Sequence, residues 1–76
     1  MTKVVADERI LKIANRVRQL RIEAGYSSYE KFAYANDLSR SHYWRVESGR
    51  WNFSFLFFLK ILEAHEMTIE EFFQDQ

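Results

Sequence analysis

Three arginines and three serines lie among residues 39–50, where Glu47 is the single acid. Wound into an α-helix at about 100° per residue, this stretch places Tyr43 and Val46 on one side. The opposite arc carries Arg40, Ser41, Trp44, Arg45 and Ser48. A guanidinium can form two parallel hydrogen bonds with guanine, and an α-helix fits the major groove of DNA. An ordinary solvated helix face mixes lysine with glutamate, so this cationic face indicates contact with base edges of duplex DNA.

The net charge of the chain is zero, but the charge is unevenly distributed. Residues 1–50 hold ten lysines and arginines against six acids, a balance of +4. Residues 51–76 hold Lys60 against five acids, a balance of −4. A molecule divided in this way turns its basic part towards a polyanion. Two ordinary surface patches of unequal charge would give the same totals, so the distribution alone leaves both interpretations open.

With 76 residues, the chain is expected to form one small domain spanning residues 1–76. The absence of cysteine fits a reducing compartment, and we expect the cytoplasm. No apolar run approaches the roughly 20 residues that a membrane-spanning helix requires. The first residues, MTKVVADE, are too short and end too acidic for a secretory signal.

Apolar periodicity and capping residues predict five helices, and no segment alternates with a period of two. The first helix is expected to begin after Asp7 and to end at Gly25. Its predicted core positions recur at helical spacing and are Ile10, Ile13, Ala14, Val17, Leu20 and Ala24. Its predicted outer face is cationic and carries Arg9, Lys12, Arg16 and Arg18.

Each of the four further helices follows a serine or threonine whose side-chain oxygen suits an N-cap. The predicted caps are Ser27 and Ser28 for the second helix, and Ser39, Ser54 and Thr68 for the third, fourth and fifth. Asn36 and Asp37 separate the second helix from the third, since both residue types tolerate left-handed backbone and favour turns. The last three helices are predicted to span residues 40–48, 55–66 and 69–73.

The order and spacing of these residues resemble the Cro- and phage-repressor-like helix-turn-helix domains, also called the xenobiotic-response-element family of bacterial regulators. The resemblance covers residues 17–73, about three quarters of the chain. It is carried by Leu20-Arg21, Phe32-Ala33, Leu38-Ser39-Arg40-Ser41, Val46-Glu47-Ser48-Gly49-Arg50, Ser54 and residues 67–73. It implies an all-α, five-helix lambda-repressor-like DNA-binding bundle. Its helix-turn-helix unit, about residues 28–48, would place the third helix in the major groove.

The same resemblance implies roles for particular residues. The positions that match base contacts are Arg40, Ser41, Trp44 and Arg45, and His42 is a further candidate. The positions that match phosphate contacts are Ser28, Tyr29, Ser39, Ser48 and Arg50. Arg21 and Glu47 match a partly buried ion pair that joins the first helix to the third. Asp37 departs from the family pattern, because it stands where glycine is usual in the turn.

The resemblance also implies a homodimer on a palindromic operator, with the two recognition helices about 34 Å apart. Leu56 and Phe57 are predicted to point away from the core, and exposed apolar patches often mark interfaces. The residues expected at the dimer interface are Trp51, Phe53, Phe57 and Phe73. Scattered surface apolar residues are the alternative interpretation of this feature.

Other chemistry finds little support in the sequence. His42 and His65 lie on different predicted helices and there is no cysteine, so we expect no metal site. His65 is expected to be a packed and hydrogen-bonded core residue. No nucleophile-elbow pattern or glycine-rich phosphate loop occurs, and we expect neither catalysis nor a cofactor.

These observations predict a small bacterial or phage-type transcriptional regulator that binds specific sequences of double-stranded DNA, with repression as the favoured mode. Two alternatives stay open. The same domain could serve as the antitoxin of a toxin–antitoxin pair, or the chain could be a helical protein-interaction module that does not bind DNA. Binding to random duplex DNA that falls steeply with salt would separate the DNA-binding classes from the interaction module.

Overall fold

The computed structural model describes residues 7–49 and 53–74. In these ranges the chain forms five α-helices and no strand. They are α1 (Glu8–Glu23), α2 (Tyr29–Ala35), α3 (Arg40–Ser48), α4 (Phe55–Ala64) and α5 (Ile69–Phe73). The predicted all-α, five-helix fold class is therefore confirmed. None of the described helices is both long and apolar enough to cross a membrane.

Every helix begins at the residue predicted as its N-cap. The side chain of Asp7 accepts a hydrogen bond from the backbone N–H of Arg9. The other four caps, Ser28, Ser39, Ser54 and Thr68, each accept from the backbone N–H three residues further on. The α5 cap is reinforced, because Glu71 returns a bond to the backbone of Thr68. Helices this short are marginal alone, so capping and packing together define their limits.

Three helices end in the same hydrogen-bonded motif around one residue with left-handed backbone. Those residues are Gly25 (φ +97°), Asp37 (φ +57°) and Glu66 (φ +54°). After α2, the N–H of Leu38 bonds to the carbonyl of Ala33 at 2.8 Å, as expected of this motif. Asp37 thus adopts the turn conformation that glycine usually supplies. Glu66 ends α4 at Ala64, two residues before the predicted end, because a left-handed residue cannot continue the helix.

The core is aromatic and centres on Phe32 of α2. Its ring lies 4.9 Å from the ring of Tyr43 on α3 and 4.9 Å from that of His65 after α4. Tyr26 meets it edge-on at 5.2 Å. Phe72 brings α5 into the same core, where it contacts Phe58 of α4 at 5.0 Å. Rings from three segments therefore surround Phe32 and fix α2 against its neighbours.

The end of α3 lies directly against α1. Gly49 is buried and has φ +70°, and a Cβ atom built on it would lie 2.7 Å from Cδ2 of Leu11. The same atom would lie 3.3 Å from Cβ of Ala14. Glycine is required here both for its backbone angle and for this close approach. The contact fixes the inner side of α3 and leaves its other side towards solvent.

One predicted surface residue of α1 is packed instead. Nε of Arg16 donates to the backbone carbonyl of Phe72 at 2.9 Å, and the guanidinium lies 5.5 Å from the centre of the Phe72 ring. The final carbonyls of a helix have no partner inside it, and a cation beside them is favourable. Arg16 therefore ties α1 to α5, and its assignment to a solvated outer face was wrong.

Candidate nucleic-acid interface

Helix α3 separates its two faces as the sequence predicts. Tyr43 and Val46 are fully buried in the core. The four residues assigned to base contact, Arg40, Ser41, Trp44 and Arg45, are all exposed. The cationic side of α3 is therefore accessible along the helix, which is the arrangement a groove-reading helix needs.

The anchored side of α3 is held to α1 by an ion pair. Arg21 donates from Nε to Oε2 of Glu47 at 2.8 Å and from Nη2 to Oε1 at 3.0 Å. Its Nη1 donates to the carbonyl of Tyr26 at 3.0 Å. The two side chains are only 7% and 8% exposed. Glu47 is thus paired on the buried side of α3 and neutralises none of the exposed arginines of that helix.

Tyr43 lies beside this ion pair. Its hydroxyl is buried and has no hydrogen-bond partner among the described residues. Burial, and then the nearby Glu47 carboxylate, raise the pKa of Tyr43 far above its usual range. The hydrogen bond to Glu47 raises the pKa of Arg21 as well. Arg21 is therefore positive and Tyr43 neutral.

Four of the five residues assigned to phosphate contact are described by the structure, and their side chains have three kinds of surroundings. Ser28 and Ser39 cap α2 and α3, where they accept from the N–H groups of Lys31 at 3.1 Å and His42 at 3.4 Å. Tyr29 is half-buried and packs against the core. The hydroxyl of Ser48 donates to the carbonyl of Arg45 at 2.9 Å, so its proton is engaged within α3. Arg50 lies outside the described residues.

The carboxylate of Glu30 lies next to Arg40, one of the two arginines assigned to base contact. Nη1 of Arg40 lies 3.7 Å from Oε2 of Glu30, and the side chains are 70% and 54% exposed. Glu30 is in the first turn of α2 and Arg40 is the first residue of α3. The two long side chains span the space between the helices. This pair was not predicted from the sequence, although a charge of each sign at the two helix starts was the available signal.

A cleft of about 340 Å³ lies between α3 and the start of α4, lined by His42, Arg45, Phe53, Ser54 and Phe57. The rings of His42 and Phe57 lie 5.8 Å apart. Phe57 and Phe53 are half-buried and pack against the core. The predicted outward orientation of Phe57 was therefore wrong. Its ring instead lines the cleft beside α3.

The exposed apolar residues of this end of the molecule are Phe55, Leu56 and Phe73. The rings of Phe55 and Phe73 lie 6.3 Å and 6.1 Å from that of buried Phe58. These two rings thus extend the core outwards across α4 and α5, and Leu56, the residue after Phe55, is exposed as well. Trp51, also predicted at a dimer interface, lies outside the described residues. We refer to Phe55, Leu56 and Phe73 as the apolar patch.

The two histidines are not arranged to hold a metal. Within residues 7–49 and 53–74, no three histidine or acidic side chains cluster as ligands would. His65 stacks on Phe32 with 14° between the ring planes. Its Nε2 atom is buried without a hydrogen-bond partner in the described chain, so the expected hydrogen bond is missing at that atom. Burial lowers the pKa of His65.

The helix-turn-helix geometry and the accessible arginine face of α3 define a class: a small DNA-binding transcriptional regulator. Comparison with known proteins narrows that class. No family model matches the chain. The control protein C.MunI of Mycoplasma sp is 34% identical over 65 residues, which span 86% of this chain and 88% of that protein.

A solved structure agrees. The crystal structure of the restriction-modification controller protein C.AhdI from Aeromonas hydrophila matches with a TM-score of 0.75 at 33% identity. The match covers 88% of this chain and 100% of that one. The chain belongs to the family of restriction-modification controller proteins. The narrower assignment to the xenobiotic-response-element family stays a prediction.

Proposed function

We propose that this protein controls transcription of a restriction-modification system by binding an operator in duplex DNA through α3. The observation that carries the proposal is the orientation of α3. Tyr43 and Val46 are locked in the core, and Arg40 and Arg45 lie on the exposed side. Control by occupancy of DNA needs no catalysis and no cofactor, and we place it in the cytoplasm.

In this proposal the exposed face of α3 reads base edges. Arg40 and Arg45 would bond guanines in each half-site, and each well-made contact discriminates by about 1–3 kcal/mol. Ser41 is short enough to let the helix approach closely. Trp44 would pack on a thymine methyl group or flank a phosphate.

Phosphate contacts would fix the orientation of α3 without reading sequence. We assign them to Ser28, Tyr29, Ser39, Ser48 and Arg50. For Ser48 this requires its hydroxyl to exchange the carbonyl of Arg45 for the phosphate. Of these contacts only that of Arg50 neutralises a phosphate, and each phosphate neutralised by a cation steepens the fall of log affinity with log salt by about 0.9.

The operator is proposed to be palindromic and the protein to bind it as a homodimer. The apolar patch supports this proposal, because three large apolar side chains on α4 and α5 are exposed together. Trp51, Phe53 and Phe57 remain proposed interface residues, with the two phenylalanines contributing only the parts of their rings that the core leaves uncovered. Sedimentation at high concentration tests this point, and a protein that remains monomeric there and on operator DNA would remove it.

Selection of duplexes from a random pool tests the main proposal. The wild-type protein should enrich a two-fold symmetric sequence, and Arg40→Ala/Arg45→Ala should lose at least about 30-fold in affinity for it. Lys12→Ala/Arg18→Ala is the matched control, because it also removes two exposed cations but from α1. If the two double variants lose the same affinity while both remain folded, general attraction and not α3 accounts for binding.

The antitoxin alternative shares this fold and its DNA-binding face. Both relatives are named as controllers, which favours transcription control over an antitoxin role. Expression with the neighbouring genes of its own operon separates the two. A controller changes their transcription, whereas an antitoxin co-purifies in a stable complex with a neighbouring gene product.

A further inference from the structure

Glu30 in the first turn of α2 and Arg40 at the start of α3 form an exposed ion pair. Their closest approach is 3.7 Å, from Nη1 of Arg40 to Oε2 of Glu30, which is too long for a hydrogen bond. A guanidinium carries five N–H groups, and a bidentate bond to guanine needs two parallel ones. The pairing with Glu30 therefore leaves Arg40 enough donors to read a base.

Glu30 would affect a contact between Arg40 and a phosphate differently. Arg40 is exposed and long enough to turn from the groove to the DNA backbone, as arginines do in non-specific binding. In helix-turn-helix proteins the first helix of the unit, here α2, crosses that backbone. A phosphate bound by Arg40 from this side would bring its charge close to the Glu30 carboxylate. Repulsion between the two anions disfavours this orientation of Arg40.

We propose that Glu30 is a positioning residue that keeps Arg40 directed at a base and away from the phosphates, and so raises discrimination between operator and random DNA. This inference rests on the proposed function of α3. It adds a specificity determinant that makes no contact with DNA itself. Its effect is on the ratio of two affinities rather than on binding as such.

The exposure of the pair makes it testable without loss of the fold. Exposed ion pairs contribute little to stability, so Glu30→Gln should unfold at the same temperature as the wild type. Its affinity for random duplex DNA should rise two- to fivefold. The salt dependence on random DNA should steepen by about one phosphate contact, since Arg40 becomes available to the backbone.

Binding to the operator should not be strengthened by the same substitution. Glu30→Gln should bind the selected operator no more tightly than wild type, so that the operator-to-random ratio falls two- to fivefold. Repeated selection should show a broadened preference at the base that Arg40 reads. Glu30→Asp keeps the charge but shortens the reach by one methylene, and it should broaden that preference with a smaller gain on random DNA.

Glu63→Gln is the matched control, because it removes one exposed carboxylate from α4. It should raise both affinities by the same factor and leave base preference unchanged. If Glu30→Gln behaves like Glu63→Gln, the positioning role is overturned while the proposed function stands. If the wild-type protein binds no duplex at all, the proposed function is overturned and the positioning role with it.

Discussion

Two arginine–glutamate pairs hold α3, one at each side, and they differ in almost every physical respect. Arg21 and Glu47 join α1 to α3 through two hydrogen bonds of 2.8 Å and 3.0 Å, with 7% and 8% of the side chains exposed. Arg40 and Glu30 join α3 to α2 across 3.7 Å, with 70% and 54% exposed. The same two residue types thus form a buried, hydrogen-bonded pair on one side of α3 and an exposed, longer pair on the other.

Burial explains the difference. A charge taken out of water must be fully paired, and removal of its partner leaves a large penalty. An exposed pair exchanges its partner for water at little cost. The buried pair, which we name the scaffold joint, therefore supports the fold. The exposed pair, which we name the reading corner, adds little to stability and can serve to orient Arg40.

The strongest test of this comparison removes the acid from each pair in turn. Glu47→Ala leaves Arg21 buried and unpaired, and we expect it to lower the free energy of unfolding by about 3–5 kcal/mol. Glu30→Ala should change it by less than about 0.5 kcal/mol. Urea unfolding followed by circular dichroism measures both. A Glu47→Ala protein that unfolds like wild type would contradict the role of the scaffold joint.

The second test concerns the glycine beside the scaffold joint. Gly49→Ala adds a Cβ 2.7 Å from Leu11 at a residue with φ +70°. Left-handed strain of about 1–2 kcal/mol and the displacement of Leu11 should together lower stability by about 2–3 kcal/mol. Thermal unfolding is the measurement.

Gly25→Ala provides the control for that substitution. Gly25 has φ +97° but nothing within 4 Å of the added Cβ. It should show the backbone strain alone, about 1–2 kcal/mol. Equal losses at the two glycines would mean that Leu11 moves aside freely and that α1 and α3 are less tightly joined than the distances indicate.

A third test asks whether the fixed part of the molecule extends to α5. Arg16→Met keeps the apolar stem but loses the hydrogen bond to the carbonyl of Phe72 and the cation over its ring. We expect a loss of about 1–2 kcal/mol in the free energy of unfolding. Arg18→Met, on the exposed side of the same helix, should have little effect. Similar stability of the two variants would mean that the contacts of Arg16 with Phe72 do not stabilise the fold.

The smallest expected effect concerns pH and the far side of the core. Burial lowers the pKa of His65 in the folded protein, so the unfolded chain takes up a proton that the folded chain resists. Its contribution is intact above the unfolded pKa of about 6.5 and is lost as pH falls below it. His65→Phe should remove this part of the decrease in the free energy of unfolding between pH 7 and 5, measured by urea unfolding. If the free energy of unfolding of the variant decreases as much as that of the wild type, groups other than His65 cause the decrease.

The local features of the fold could be predicted from the sequence to within a residue or two. All five N-caps are where serine, threonine or aspartate precedes an apolar periodic segment. The exception is the end of α4, since a glutamate rarely adopts left-handed backbone and Glu66 carries no sequence signal for it. The exposed side of α3 was also predictable, because the buried positions Tyr43 and Val46 fix its rotation.

The partners of the charged side chains could not be found in this way. Arg16 is 56 residues from the carbonyl it binds, and nothing in the sequence indicates that Glu30 faces Arg40. Arg21 and Glu47 were paired through a family resemblance and not through their spacing of 26 residues. The half-buried position of Phe57 likewise depends on α3 packing across it, which no periodicity within α4 contains.

The sequence by itself determined where helices begin, which sides of them are apolar and that α3 carries a cationic face. These properties depend on neighbours within one or two turns, which is the range of capping bonds and helical periodicity. Only the tertiary structure decided which arginine is buried in the scaffold and which one stays exposed on α3. That choice depends on burial, because water removes most of the energy of an exposed ion pair and a packed interior does not.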